Sequence, residues 1–174
     1  MTRVFPLLAA LLLPFAASAA DPYAELRAYP TGGIASVGAW FPQGDRWDLG
    51  VSAVYDRAER GDAGRHDDES GDGFGIGIEA RRSAGTAHPR WFYGVRAELL
   101  RLSIDWRDDD GARGNSEVTV LQPTARVGYR LPLGSTQWDV EAAASLGAEI
   151  NISTSGEAVG EGAIVLLGMA VRPH

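Results

Sequence analysis

The chain has 174 residues, 22 of them Gly, with 45% hydrophobic residues, no Cys and, among its 16 basic residues, no Lys. Against 23 Asp and Glu this leaves a formal charge of -7, which argues against nucleic acid as a partner. The lack of Cys excludes a disulfide scaffold, a thiolate zinc site, a cysteine nucleophile and a lipoprotein anchor on a cysteine, and the length fits one domain.

The first segment reads as an address. Arg3 gives a positive start, 4–17 is an apolar run, and Ala17-Ser18-Ala19 is a small-x-small cleavage pattern before Ala20, with Asp21 as the neighbouring alternative. Residues 1–20 are therefore predicted to be a secretory signal peptide, and 21–174 one β-domain. The run is about 14 residues, shorter than the roughly 20 a spanning helix needs. Pro6 and Pro14 interrupt it further. Loss of Arg3 takes the charge from -7 to -8.

From Tyr23 onwards the apolar period is two, the period of strands. Weak strands are expected at about 24–29 and 34–41. At 47–55, Trp47, Leu49, Val51, Ala53 and Tyr55 oppose Asp48, Gly50 and Ser52. At 74–81, Phe74, Ile76, Ile78 and Ala80 oppose Gly75, Gly77, Glu79 and Arg81. At 91–99, Trp91, Tyr93, Val95, Ala97 and Leu99 oppose Phe92, Gly94, Arg96 and Glu98. The phase then slips at Leu99-Leu100, which reads as a β-bulge. Beyond it, Leu100, Leu102, Ile104 and Trp106 continue the apolar face, and Arg101, Ser103 and Asp105 the polar one. The strand at 121–131 sets Leu121, Ala125, Val127, Tyr129 and Leu131 against Gln122, Thr124, Arg126, Gly128 and Arg130, with Pro123 lacking a ladder donor. The segment 138–153 is the longest alternation: Trp138, Val140, Ala142, Ala144, Leu146, Ala148, Ile150 and Ile152 share one face, and the acids share the other. A weak strand at about 162–172 makes eight. The connectors at 30–33, 42–45, 83–89 and 132–136 are short, and those at 61–73, 107–115 and 154–161 are longer and net acidic.

Eight alternating strands close either as a water-soluble barrel with an apolar lumen or as a membrane barrel with the faces inverted. Glycines crowd the polar face (Gly75, Gly77, Gly94, Gly128 and Gly147 among them), where a packed interior needs small residues beside large ones. That face also carries both signs of charge, with Arg as the cation suited to buried pairing. The predicted interior network is Arg27, Glu79, Arg81, Arg96, Glu98, Arg101, Arg126, Arg130, Glu141 and Glu149. Phe41, Trp47, Trp91, Tyr93, Tyr129 and Trp138 lie on the apolar face near three short turns, as one girdle at a membrane interface would. Tyr55, Phe74 and Trp106 form a sparser girdle at the other end. The predicted fold is therefore an all-β, eight-stranded, antiparallel up-and-down transmembrane β-barrel, with short periplasmic turns and longer outer loops.

In signal, strand number, short turns and a polar Arg/Glu interior, the chain resembles the small outer-membrane barrels of Gram-negative bacteria, such as outer-membrane protein X and the barrel domain of outer-membrane protein A. The resemblance is architectural and covers 21–174. It implies an outer-membrane location, a monomer, and outer-membrane lipid and lipopolysaccharide as neighbours.

Candidates for chemistry are few. Arg65-His66-Asp67-Asp68-Glu69-Ser70 collects a base, acids and a hydroxyl by adjacency, but a triad is built from separate elements. His88 is followed by Pro89 and Arg90, which breaks the His-x-Ser pattern of barrel deacylases. Asp67, Asp68, Glu69 and Asp72 are a weak divalent-ion candidate, a loose match to a calcium loop. No cofactor motif is present. Three functions stay open: a non-enzymatic outer-membrane barrel acting in envelope integrity or surface interaction through acidic loops, an outer-membrane enzyme or transport component, and a periplasmic carrier of an apolar ligand.

Overall fold

A computed structural model describes residues 20–85 and 90–173. Residues 1–19, 86–89 and His174 lie outside the described residues, and with them all of the predicted signal at 1–20 except Ala20. The strands are β1 (Asp21–Tyr29), β2 (Gly32–Gln43), β3 (Trp47–Glu59), β4 (Asp68–Ala84), β5 (Arg90–Arg107), β6 (Arg113–Pro132), β7 (Trp138–Ser155) and β8 (Gly162–Pro173). Each pairs antiparallel with the next, and β1 meets β8 from Ala24↔Val171 to Ala28↔Leu167, closing the barrel. Closure leaves no long sheet edge unpaired, which is how an all-β chain satisfies its backbone.

The alternation sorts side chains by face along every strand. Tyr23, Glu25, Arg27 and Tyr29 of β1 point inward and are buried, and the residues between them point out. On β4 the outward Phe74, Ile76 and Ile78 are among the most exposed apolar residues, while Glu79 and Arg81 are buried. The exterior thus carries Leu, Ile, Val and Trp, and the interior carries Arg and Glu. In water this distribution is upside down.

The strands are longer than their alternation in the sequence indicates. β4 starts at Asp68 and β6 at Arg113, so much of the predicted loops at 61–73 and 107–115 is strand. The extra length crosses a boundary where both faces change character. On the outside, Tyr55 is followed up β3 by Arg57 and Glu59, Phe74 up β4 by Asp72 and Ser70, and Leu99 up β5 by Arg101, Ser103 and Asp105. On the inside, the charged layers give way to Tyr29, Ile34, Val54, Leu100, Leu102, Ile104, Val118, Val120, Ile164 and Leu166, a packed apolar cluster.

This corrects the reading of β5. There is no phase slip at Leu99-Leu100: the register runs unbroken from Arg90↔Arg130 to Arg107↔Arg113. Leu100, Leu102 and Ile104 are 1% exposed and face the lumen. Arg101 therefore faces out, with its side chain 76% exposed against Glu117, and does not belong to the interior network. Trp106 likewise turns in and packs against the apolar cluster, leaving Tyr55 and Phe74, with ring centroids 5.0 Å apart, as the outward pair. The true register shift is on β7, where Thr119↔Ser153 is followed by Val120↔Asn151, so that Ile152 is the extra residue. The β6–β7 pairing also breaks at Gln122-Pro123, between Leu121↔Ile150 and Thr124↔Gly147, where proline has no N–H to give.

Candidate functional site

Two assemblies concentrate the polar chemistry: ion-paired layers inside the barrel, and a platform of three loops over one end.

The layer nearest the short turns is built on aromatics. Trp40 of β2 and Phe92 of β5 point inward, and each takes space vacated by a glycine. A Cβ on Gly50 would stand 2.6 Å from the Trp40 ring, and one on Gly128 would collide with Phe92. The Arg81 guanidinium lies 3.4 Å from the Trp40 ring centroid, a desolvated cation–π contact. Arg81 donates to Glu141 at 2.7 Å and to Asp48 at 3.1 Å. Arg130 donates to the other Glu141 oxygen at 2.7 Å. Arg172 closes the layer against Asp21 at 2.5 Å.

The middle layer is denser. Arg27 grips Glu98 with two parallel hydrogen bonds of 2.7 and 2.6 Å, the forked geometry that Lys cannot supply. Arg96 bridges Glu25 at 2.7 Å and Glu79 at 2.5 Å. Arg126 joins the same two carboxylates, with its Glu79 contact at 3.1 Å. Each of these six side chains is at most 3% exposed. Every carboxylate has a guanidinium partner, which buried charge requires.

Of the predicted network, the structure thus brings Arg27, Glu79, Arg81, Arg96, Glu98, Arg126, Arg130 and Glu141 into these layers. Glu149 lies higher, paired with Arg60 at 3.2 Å. Arg60 and Arg172 were missed. Arg172 continues the small inward positions Gly168 and Ala170 of β8 and was there to be found by alternation. Arg60 stands just past the end of β3, where no pattern marks its direction.

The six residues predicted as a girdle, Phe41, Trp47, Trp91, Tyr93, Tyr129 and Trp138, all sit on outward positions at the turn end. Trp91 and Tyr129 touch across the β5–β6 pair, 4.8 Å between centroids.

At the opposite end, the loops after β3, β5 and β7 meet over the apolar cluster. Glu69, the inward residue at the top of β4, is fully buried. It accepts from the backbone N–H groups of Arg65 (2.7 Å), His66 (3.1 Å) and Gly160 (3.0 Å), and from Arg60 at 3.2 Å. Burial alone would raise its pKa, but these backbone donors and Arg60 outweigh it and hold the carboxyl below the usual range. Gly64 and Gly160 let the two loops approach: a Cβ on Gly64 would stand 2.5 Å from the Glu69 carboxyl carbon, and one on Gly160 3.1 Å from the Gly64 backbone. Val159 enters the apolar cluster beneath.

The divalent-ion candidate does not assemble. Glu69 is consumed by the loops. Asp68 faces out to Arg107 at 3.0 Å, Asp72 accepts from the Tyr55 hydroxyl at 2.7 Å, and Asp67 accepts from the Asp109 N–H at 2.7 Å. Four carboxylates with four separate partners do not form a coordination shell. Nor does His66 meet Ser70, which is exposed on the outer face of β4; its partner is Asp108 of the β5–β6 loop. His88 and His174 lie outside the described residues.

Searches of family models and of curated proteins found no match. Among solved structures, Neisserial surface protein A is similar over 88% of this chain and 93% of its own, at 18% identity and a TM-score of 0.55. The N-terminal β-barrel domain of Pseudomonas aeruginosa OprF is similar over 88% and 96%, at 17% identity and a TM-score of 0.53. The fold is that of the small eight-stranded outer-membrane barrels. Within that fold, the ion-paired layers and the apolar cluster fill the interior of a narrow barrel.

Proposed function

We propose that the chain is a non-enzymatic bacterial outer-membrane β-barrel, exported by a cleaved signal at 1–20. It acts as a monomer in envelope integrity or surface interaction. Outer-membrane lipid and lipopolysaccharide surround its belt, and a surface partner meets its acidic loops. It needs no cofactor.

The observation that carries this reading is the exterior. A belt of outward Leu, Ile, Val and aromatic residues encircles a lumen of paired Arg and Glu. On β3, β5 and β6 the belt covers 47–55, 91–99 and 121–131, the span of about 9–11 residues that a tilted strand needs to cross hydrocarbon. An apolar exterior of this kind has no place on a freely soluble carrier. The loops lie at the end away from the aromatic girdle, and the connections at the girdle end are short, which supports placing the loops outside the cell.

The test is fractionation of native cells followed by electrophoresis with and without boiling. The expected result is protein in the outer-membrane fraction that changes mobility on heating. Recovery in the periplasm without detergent would overturn the reading and favour the carrier.

A further inference from the structure

His66 was singled out in the sequence and has no role in the barrel as such, yet it sits where all three long loops meet. Its Nδ1 lies 2.9 and 3.1 Å from the two oxygens of Asp108 in the β5–β6 loop. Its Nε2 lies 3.1 Å from the carbonyl oxygen of Ala158 in the β7–β8 loop. The ring stacks on Trp106, with centroids 4.2 Å apart and planes at 14°. Trp106 in turn packs on the apolar cluster.

Both ring nitrogens therefore face acceptors. A neutral imidazole carries one N–H and one lone pair, so one of its nitrogens would meet an acceptor oxygen with a lone pair. Only the imidazolium donates in both directions at once. We infer that protonated His66 is an acid-stabilised clasp that fastens the three loops over the apolar end of the lumen and slackens when the ring gives up its second proton.

The charged surroundings agree. From the β5–β6 loop the ring meets the Asp108 carboxylate, and from the β7–β8 loop a backbone carbonyl. On its own loop, Asp67 is bonded to the Asp109 N–H, and its own N–H reaches Asp108 at 3.4 Å. Below, on β4, Glu69 accepts from the His66 backbone N–H at 3.1 Å. Acceptor oxygens thus face the ring from the other two loops, with Asp67 beside it on its own loop and Glu69 below it on β4. The sign follows from the geometry: a contact that needs the proton is complete in acid and is lost once a rise in pH removes that proton. Glu69 does not confuse the window, because its own titration is displaced downward.

The experiment is amide hydrogen exchange on the full folded chain in detergent micelles at pH 5 and pH 8, corrected for intrinsic rates, read at Arg65, His66 and Gly160, whose N–H groups bind Glu69. Protection should fall about tenfold or more between the two pH values in the native chain, and be equal at both in His66→Asn, while strand amides of β4 and β5 keep theirs in both proteins. As a second readout, the ring ¹⁵N shifts of His66 at pH 5 should report two protonated nitrogens. Loop protection that does not change with pH in the native chain, the same pH dependence in His66→Asn, or a neutral ring at pH 5 would each overturn the clasp.

Discussion

The tightest constraint on any single side chain is in the middle layer of the lumen. Arg96 there satisfies Glu25 and Glu79 together. Arg96→Met keeps the bulk and leaves two buried carboxylates one cation short. It should cost about 3–5 kcal/mol, the usual penalty for removing one partner of a buried pair. A urea titration of the refolded protein measures this, and a loss under about 1 kcal/mol would mean that the layer is wet and exchangeable. The Arg27–Glu98 pair is two-pronged, so Arg27→Lys should not be neutral, despite keeping the charge.

At the scale of elements, β5 shows what a sequence can and cannot reveal. The alternations of β3 and β7 were plain to read because each keeps one kind of neighbour for most of its length. β5 runs from Arg90 and Trp91 at the turn end to Arg107 at the loops and crosses the level where inside and outside exchange roles. Glu98 in and Leu99 out become Leu100 in and Arg101 out, so an unbroken strand puts two leucines side by side. Periodicity reads that as a slip, and Arg101 as an interior cation. The bulge that does exist, at Ile152, falls in a stretch of Ser, Thr and Asn where nothing marks it. The loop platform was beyond reach for a different reason: His66 and Ala158 are 92 positions apart, and Glu69 and Gly160 are 91 apart. No local pattern records such a meeting.

The regular register of β5 makes its own forecast. Ile104→Ala removes packing from the apolar cluster and should cost about 2–5 kcal/mol. Arg101→Leu alters an exposed ion pair and should stay within about 1 kcal/mol. Urea midpoints for the two variants decide it. The reverse order would restore the slip and return Arg101 to the lumen.

For the whole molecule, the lumen is closed twice. The ion-paired layers fill the half near the turns, and the apolar cluster under Val159 and Trp106 fills the half near the loops. Eight strands leave room for little more than side chains. Refolded into a planar bilayer, the protein should give no stable single-channel current at neutral pH. Stepwise conductance would show that these layers part, and would make transport the better reading of the barrel.

The exchange of faces partway up the strands also gives the molecule a waterline. Above Tyr55, Phe74 and Leu99, the next outward positions are Arg57, Asp72 and Arg101. Sinking by one such step would drag these charges into the edge of the hydrocarbon, at up to about 1 kcal/mol for each arginine there and more with each further step toward the midplane. Rising by one step would lift the exposed faces of Leu, Ile and Phe into water. The barrel is thus ballasted to a single draught, and a bilayer of another thickness must bend to meet it.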